Sequence, residues 1–445
     1  MDRKRMMRKI SILVLAVFVI AIVGSFSFVT NKANAANAQK VEIKLASWGD
    51  ESIKIKYFEK RFPNIKVTMD KSITWPWDEK LAAAAASGKL PDVFWLFNVP
   101  AAAANGWAED LTPYLKADKD YNPDRVFLNV FQTSNYFGKQ IALPHSMFAA
   151  VVMLNLDLFQ KENIPVPAAN WNLNDFRKAA IKLTKFSEKQ FGVDGISWFA
   201  EMLPPQFNPN LGWKTYDGKN FHFDDPSFVN AYKWAIDLRN NDKVCIDLYP
   251  SSQQDKWYGK GKWAWTLGKV GMRIAGTWDM GWQAKSLKFK WDVRPLPGYK
   301  SQKIPLILDF VGMAKNSKHK KEAFEFIKYI TYSKQGWMDR VNYEKASIPL
   351  VSDADVWKLY LSKGYVAPGM KDVLKLIKND SFFDGAKWAV GWPEISWDMS
   401  SKIIDKFWKG QAKPEDVQAD LQKRSSDQMK VIWDKLEAAI KKNYK

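Results

Sequence analysis

Aromatic and hydrogen-bonding side chains stand directly after a predicted strand near the start of the chain. Residues 41–47 alternate apolar and polar types, which predicts a half-buried strand, and Trp48 and Asp50 follow it. A helix and a second strand come next, which indicates a parallel pair, and ligands bind beyond the carboxyl ends of such strands. An indole ring can cover the face of a solute, and a carboxylate can accept its hydroxyl protons. Trp48 and Asp50 are therefore candidate contacts, although Asp50 is equally suited to cap the helix that begins at Ser52.

A similar arrangement follows the strand predicted at residues 90–96. Asn98 lies just beyond its end, and a side-chain amide both donates and accepts hydrogen bonds. Asn98 is therefore a candidate contact, with a turn-forming role as the alternative. Trp77, at the start of an alanine-rich helix predicted at residues 78–86, is a further aromatic candidate.

The middle of the chain suggests a hinge. Residues 140–144 and 148–154 predict two buried strands that meet at a bend over residues 144–147. Polar groups in this bend would be costly in a core strand if they were unpaired, which favours a hinge that lines a cleft. His145 lies in the bend and is a candidate for hydrogen bonding to a ligand.

Four later residues are candidates for the same cleft. Trp213 ends a proline-rich loop that is expected to face it from the other side. Asp309 lies within an apolar run at 304–314, where an acid needs partners, so it is either a ligand contact or a satisfied strand-end cap. Trp392 and Trp397 precede a predicted helix, in loop positions that suit stacking on a ligand as well as they suit packing.

Composition restricts the class of protein. A chain of 445 residues with 47% hydrophobic and 26% charged residues is globular and long enough for two domains. The formal net charge is +19, but the basic residues are scattered among acidic ones, which argues against nucleic-acid binding. The 22 tryptophans are unusually many, and tryptophan suits stacking on sugar rings, although most are expected in the core.

The amino terminus has the features of an export signal. Basic residues precede an apolar run that extends to Val29, and small-residue cleavage sites follow, ending at Ala35 and Ala38. We predict that residues 1–38 are a signal peptide, with an uncleaved membrane anchor as the alternative. The single cysteine, Cys245, excludes an internal disulfide and a multi-cysteine metal site, and no cofactor is expected.

Several short motifs stand in a fixed order along the chain. They include Gly88-x-x-Pro91-Asp92-Val93, Asn155-x-Asp157-Leu158-Phe159, Pro167-x-x-x-Trp171 and Gly276-x-Trp278. In this order they resemble the family 1 extracellular solute-binding proteins of ABC importers, the group that includes the maltose- and oligosaccharide-binding receptors. The resemblance extends over nearly all of the exported chain.

The resemblance implies an α/β fold with two lobes, of the type II periplasmic-binding-protein-like kind. Such a fold has three interlobe crossovers and a central cleft. The resemblance places the amino-terminal lobe at residues 39–147 plus 306–350 and the carboxyl-terminal lobe at residues 148–305 plus 351–445.

The resemblance also implies a function. In the family, the tryptophan of the Gly-x-Trp motif stacks on a sugar, which makes Trp278 the leading aromatic candidate and Trp282 the next. We expect a monomeric, non-enzymatic receptor that captures an oligosaccharide, with a preference for xylo- or gluco-oligosaccharides, and delivers it to an ABC transporter permease. Receptors of single-membrane bacteria usually carry an acylated cysteine where this chain has Ser25, so the mode of anchoring at the extracellular face of the membrane stays open.

Two other classes of function compete with this interpretation. An exported glycoside hydrolase would also be rich in tryptophan, and it would need two carboxylates flanking the scissile bond, for which Glu201, Glu394 and Asp398 are conceivable. A receptor for a metal or charged solute is disfavoured, because the three histidines are far apart in sequence and lack supporting cysteines.

Overall fold

The computed structural model describes residues 40–445, apart from the side chains of residues 398 and 399. The leader predicted at residues 1–38, with its cleavage sites and Ser25, lies outside the described residues. The predictions about export and anchoring therefore stay predictions.

Eleven strands occur in the described part of the chain. They are β1 Val41–Ala46, β2 Ile65–Met69, β3 Val93–Leu96, β4 Asn135–Tyr136, β5 Lys139–Gln140, β6 Leu143–Asn155, β7 Phe191–Asp194, β8 Val270–Gly276, β9 Trp291–Arg294, β10 Ile304–Met313 and β11 Ser381–Phe383.

The α-helices surround these strands. They are α1 Ser52–Arg61, α2 Trp77–Ala86, α3 Val99–Ala104, α4 Thr112–Ala117, α5 Leu128–Gln132, α6 Leu156–Lys161, α7 Leu173–Leu183, α8 Ile196–Met202, α9 Pro204–Phe207, α10 Pro226–Ile236, α11 Ser251–Tyr258, α12 Met280–Ser286, α13 Lys320–Thr331, α14 Lys334–Tyr343, α15 Ala354–Leu361, α16 Met370–Ile377, α17 Ser401–Trp408 and α18 Pro414–Asn443. Two π-helical segments, Asp237–Asn241 and Trp392–Ser400, and several 3-10 turns complete the regular structure. Within residues 40–445, no helix combines the length and apolar character that crossing a membrane requires.

One mixed sheet of nine strands runs through the molecule. Its main path is β2-β1-β3-β10-β6-β8-β7, while β11 pairs with β10 and β9 pairs with β6. The predicted parallel pairing of the first two strands is confirmed, with Val41 opposite Ile65. The carboxyl end of β1, with the residues that follow it, therefore lies beside the carboxyl end of β3, its other parallel neighbour.

β6 is one continuous strand, so the prediction of two strands separated by a bend is wrong. Pairing with β10 places Ser146 opposite Asp309 and Pro144 opposite Phe310, which leaves His145 as an extra residue in a β-bulge. The polar groups of this segment remain within the sheet, because nearby side chains form hydrogen bonds with them. Ser347 Oγ, for example, accepts the backbone N–H of Met147 at 3.1 Å.

β6 also connects two hydrophobic clusters. Alternate side chains of a strand point to opposite faces of a sheet. Accordingly Ala149, Val151 and Met153 belong to the larger cluster, whereas residues 150, 152 and 154 belong to the smaller one. β6 is thus held on both of its faces by buried apolar contacts.

Two segments predicted as loops are helical instead. The proline-rich segment begins with α9, since prolines are tolerated in the first turn of a helix, where no intrahelical N–H bond is needed. Trp392 and Trp397 lie within the π-helical segment, which starts after Gly391 in a left-handed conformation with φ of 76°. These two tryptophans therefore belong to a helical segment and not to a loop.

Candidate ligand-binding cleft

A cavity of about 370 Å³ lies at the carboxyl end of β1, beside the crossover strands β6 and β10. It brings together four of the residues predicted from the sequence, Trp48, Asp50, His145 and Asp309. These residues are up to 261 positions apart in the chain and meet only because β10 returns beside β6.

His145 is the most unusual polar group at the base of this cavity. The residue is 3% exposed, and its ring stacks on Trp95 with ring centroids 4.0 Å apart. Its Nδ1 lies 3.0 Å from Ser146 Oγ, whereas Nε2 has no hydrogen-bond partner among the described residues. Burial, with the nearby charges of Lys54 and Arg340, lowers the pKa of His145 well below its ordinary value. The imidazole is therefore neutral at pH 7, with one ring nitrogen unpaired.

Charged side chains at the base of the cavity are paired with one another. Lys54 Nζ lies 2.6 Å from Glu51 Oε2, and Arg340 Nη2 lies 2.8 Å from Glu344 Oε1. Arg340 also donates to the carbonyl oxygen of His145, which fixes the bulge of β6 against α14. Pairing of this kind supplies hydrogen-bonding groups without leaving an uncompensated buried charge.

Asp309 on β10 has a cationic partner, Lys387. The carboxylate and ammonium groups are 2.6 Å apart, and both side chains are 16% exposed. The ammonium group lies 6.0 Å from the ring centroid of Trp48 and 5.9 Å from that of Phe97. Sequence reasoning missed Lys387, because an acid within an apolar strand indicates that a partner exists but not which residue provides it.

An aromatic group borders the cavity on the side of β1 and β3. Trp48 lies 6.5 Å from Trp75 and 6.4 Å from Phe97, measured between ring centroids. Phe97 in turn stacks on Trp397 at 6.0 Å, with 28° between the ring planes. Trp75 is 58% exposed and Trp397 is 41% exposed, so both have free faces. Phe97 and Trp75 were not predicted, although Phe97 directly precedes Asn98 and Trp75 lies two residues before Trp77.

A second aromatic group contacts β6 at Phe148, two residues after Ser146 of the cavity lining. Trp278 follows β8 on a 3-10 turn and is 39% exposed. Its ring contacts Phe148 of β6 at 5.6 Å and Trp198 of α8 at 5.9 Å. Trp282 is also exposed, but its ring stacks on Trp263, with ring centroids 6.2 Å apart. Of the two tryptophans predicted in this region, only Trp278 contacts an aromatic ring of β6 among the described residues.

Three of the predicted tryptophans, Trp77, Trp213 and Trp392, are each only 2% exposed. Trp77 donates its indole N–H to the carbonyl oxygen of Trp95 at 3.0 Å. The ring of Trp392 packs against Tyr216 and against a phenylalanine of the smaller cluster. Such rings have no free face for a ligand, and we do not propose them as contacts.

Asp50 and Asn98 both bind backbone N–H groups at the start of a helix, but only Asn98 is a cap: the N-cap residue of α1 is Glu51, which follows Asp50. Asp50 Oδ1 accepts the backbone N–H of Ser52 at 3.0 Å, and this bond lowers the pKa of the carboxyl group. Asn98 Oδ1 accepts the N–H of Ala101 at 3.0 Å at the start of α3. The second carboxylate oxygen of Asp50 and the NH₂ group of Asn98 take no part in these two hydrogen bonds.

The fold and this cleft define a class of protein. A two-lobe α/β structure, in which crossover strands pass between the lobes beside an aromatic-lined cleft, is that of the periplasmic-type solute-binding proteins. The sequence profile of the bacterial extracellular solute-binding proteins matches residues 46–337, and the chain belongs to this family.

Individual relatives agree with the family assignment. A binding protein of Brucella abortus is 24% identical over 407 residues, which cover 87% of this chain and 93% of the relative. An ABC substrate-binding protein of Listeria monocytogenes, solved in complex with cycloalternan, is similar with a TM-score of 0.73 and 24% identity, over 88% of this chain and 99% of that one. The cyclic α-maltosyl-1,6-maltose binding protein of Arthrobacter globiformis has a TM-score of 0.67 and 17% identity, over 91% of this chain and 100% of that one. The predicted two-lobe fold is confirmed.

Proposed function

We propose that this protein is the oligosaccharide receptor of a bacterial ABC importer. The observation that carries the proposal is the combination of two partly exposed aromatic groups, around Trp48 and Trp278, with the hydrogen-bonding groups that line the cavity beside β6. Aromatic faces cover the C–H surfaces of sugar rings, and Asp309, His145 and Asp50 are placed to bind hydroxyl groups. The proteins of Listeria and Arthrobacter, whose names state cycloalternan and cyclic α-maltosyl-1,6-maltose, support a carbohydrate ligand.

The sugar we favour is a xylo- or gluco-oligosaccharide. Several tryptophans have exposed faces, which suits a chain of sugar rings better than a single sugar ring. Each sugar ring of such a chain can stack on one tryptophan. This preference rests on the number and spread of the aromatic platforms.

Transport would follow from closure of the lobes around the sugar. We propose the lobe boundaries given by the sequence, with residues 39–147 plus 306–350 in one lobe and 148–305 plus 351–445 in the other. A ligand that binds the closed form more tightly shifts the equilibrium towards it, and the closed lobes present one surface to the permease. We further propose that the chain is exported through its leader and acts as a monomer at the extracellular face of the membrane.

Calorimetric titration tests the proposal directly. Protein beginning after the leader is titrated with xylo-, gluco-, malto- and manno-oligosaccharides, and one series is expected to bind saturably at one site. The Trp278→Ala variant is expected to bind about tenfold more weakly or worse, since losing a stacking face costs roughly 1.5 kcal/mol or more.

Phe186→Ala is the matched control. Phe186 is 50% exposed and packs in an aromatic cluster, but it precedes the amino end of β7 and so lies at the opposite edge from the ligand side. Its variant should bind like the wild type. Absence of binding across the whole panel by folded, ligand-free protein would refute the carbohydrate assignment.

The competing function, an exported glycoside hydrolase, is tested in the same samples. We propose that no bond of the sugar is cleaved, because capture and closure require no chemistry on the ligand. Of the acids considered for catalysis, Glu201 is bound to Trp213 and Lys214, and Glu394 is exposed on the π-helical segment. Shortened products after long incubation would favour the hydrolase.

A further inference from the structure

Four segments of the chain meet at the end of β6 that is distant from the cavity. The amino ends of β8 and β9 lie there, because both strands run antiparallel to β6, and β7 begins beside β8. Asn155, the last residue of β6, is nine residues beyond Ser146 of the cavity lining, which is about 30 Å along the strand. We call this surface the basic patch, and its segments are residues 156–162, 185–190, 255–269 and 288–290.

The basic patch has an excess of positive charge. Its four segments contain nine lysines and four acidic residues, a net charge of +5. Lys161 pairs with Glu188 at 2.6 Å, and Lys185 pairs with Glu162 at 3.7 Å. The other seven lysines form no ion pair within residues 40–445. Five of these seven are exposed, namely Lys256, Lys260, Lys262, Lys288 and Lys290.

Contacts between the segments make the basic patch one continuous surface. Lys269 Nζ donates to the carbonyl oxygen of Glu188 at 3.3 Å. The backbone N–H of Leu156 donates to the carbonyl oxygen of Lys290 at 2.9 Å. Together with the ion pair between Lys161 and Glu188, these bonds join all four segments. The positive charges therefore act on the same area of solvent.

Apolar side chains are exposed among these lysines. Phe186 is 50% exposed and Leu267 is 45% exposed. The ammonium group of Lys189 lies 4.4 Å from the ring centroid of Phe186 and 5.1 Å from that of Trp257. Apolar groups surrounded by lysines are typical of surfaces that bind a lipid bilayer, because the apolar groups enter the interface while the ammonium groups stay at the lipid phosphates.

We propose that the basic patch docks this protein reversibly on an anionic lipid membrane. The lysines attract the lipid phosphates, and Phe186 and Leu267 enter the boundary between headgroups and acyl chains. A soluble polyanion would match the charge, but it has no apolar layer for the two exposed apolar side chains. The inference rests on the export that the proposed function includes, and it is independent of the ligand that the cleft binds.

Flotation with lipid vesicles tests the inference. Protein beginning after the leader is used, because the apolar run of the leader would itself enter a bilayer. One set of vesicles contains equal parts of phosphatidylglycerol and phosphatidylcholine, and the other contains phosphatidylcholine alone. At low ionic strength we expect about tenfold tighter binding or more to the anionic vesicles, and high salt should remove most of this difference.

Two variants of the basic patch test its two kinds of contact. The double variant Lys260→Gln with Lys262→Gln is expected to bind the anionic vesicles about 25-fold more weakly, at about fivefold for each lysine. Phe186→Ala keeps every lysine and is expected to lose about fivefold, since the ring is already half-buried. Circular dichroism checks that both variants are folded.

The double variant Lys56→Gln with Lys60→Gln is the matched control. Both lysines are exposed on α1 and form no ion pair in the described part of the chain, so the change in net charge is the same. This variant should bind the vesicles like the wild type. Equal losses in the two double variants would indicate attraction by net charge alone and overturn the inference, as would wild-type binding that does not distinguish the two sets of vesicles.

Soluble polyphosphate distinguishes a membrane from a free polyanion. The inference is overturned in favour of a polyanion if polyphosphate binds as tightly as anionic vesicles at equal phosphate concentration and Phe186→Ala binds the vesicles like the wild type. Oligosaccharide titration is a separate measurement. Vesicle binding without any sugar binding refutes the proposed function alone, whereas sugar binding without vesicle binding refutes only the membrane inference.

Discussion

At the scale of single residues, the cleft depends on polar groups that are buried but incompletely paired. His145 keeps one ring nitrogen without a partner among residues 40–445, although an unpaired buried polar group costs stability. A ligand hydroxyl that reaches this nitrogen would remove that cost in the bound state. On the proposed function, the same atom lowers the stability of the free protein and would add affinity in the complex.

Replacing His145 by phenylalanine separates these two effects. The His145→Phe variant retains a flat ring against Trp95 and removes both nitrogens. We expect oligosaccharide affinity to fall about tenfold while the melting temperature stays the same or rises, because no buried nitrogen is left unpaired. Titration calorimetry and thermal unfolding measure the two quantities. The exposed His319→Phe variant should change neither, and unaltered affinity in His145→Phe would assign His145 a packing role only.

Asp247 presents a second residue-scale case, outside the cleft. Its Oδ2 accepts the N–H of Ile196 at 3.1 Å, while Oδ1 has no partner in the described part of the chain. Burial, reinforced by the neighbouring charge of Asp194, raises the pKa of Asp247 to about 6. Between the ordinary pKa of 3.8 and about 6, the folded protein holds a proton that the unfolded chain releases, so stability falls as pH rises.

The Asp247→Asn variant should abolish this pH dependence. Its gain in unfolding free energy over the wild type is expected to grow from pH 4 to pH 6 and then level off at about 3 kcal/mol. Urea unfolding at a series of pH values measures it, with the exposed Asp224→Asn variant as the control. A gain that is constant across this pH range would contradict the assignment.

At the scale of elements, the crossover strands β6 and β10 position the polar residues of the cavity. β6 and β10 pair along most of their length, and the bulge at His145 lets polar side chains enter an otherwise apolar pair of strands. Asp309 of β10 reaches the cavity opposite Ser146, and its partner Lys387 comes from the segment after β11. β11 pairs with β10, so one sheet aligns both members of the ion pair.

The Lys387→Met variant tests this dependence. It leaves the Asp309 carboxylate partly buried without its cation, and we expect a loss of about 3 kcal/mol in unfolding free energy. The double variant with Asp309→Asn should recover much of that loss, since neither charge remains. Urea unfolding of the two single variants and the double variant gives the coupling energy. If the effects of the single variants simply add, the pair does not act as a unit.

At the scale of the whole molecule, the proposed function requires that the two lobes move relative to each other. Phe97 stacks on Trp397, and on the proposed division the two residues belong to different lobes. The larger hydrophobic cluster contains residues of both proposed lobes, such as Ile43 and Val270, so a rotation about the crossover strands that opens the cleft must also shift contacts within this cluster.

Small-angle scattering measures this motion. With a saturating oligosaccharide, the radius of gyration is expected to fall below that of the free protein, because the ligand selects the closed form. The Trp278→Ala variant at the same ligand concentration should show a smaller fall, in proportion to its lower occupancy. An unchanged radius at full occupancy would mean that capture involves no closure.

Local sequence patterns determined much of this protein. Alternation over residues 41–47 and the order of short motifs predicted the first strand and the family correctly. The apolar run before Asn155 predicted a buried strand, although the bend predicted before it was wrong. These signals are reliable because strand formation depends on neighbouring side chains, which the sequence displays directly.

Only the tertiary structure decided which residues face the cleft. Trp77 and Trp392 look as suited to stacking as Trp278 in the sequence, yet both are buried and Trp278 is not. The partners of Asp309 and Glu201, Lys387 and Lys214, were equally invisible. Burial and charge pairing depend on segments far apart in the chain, and the sheet must form before a residue's exposed face or its partner exists.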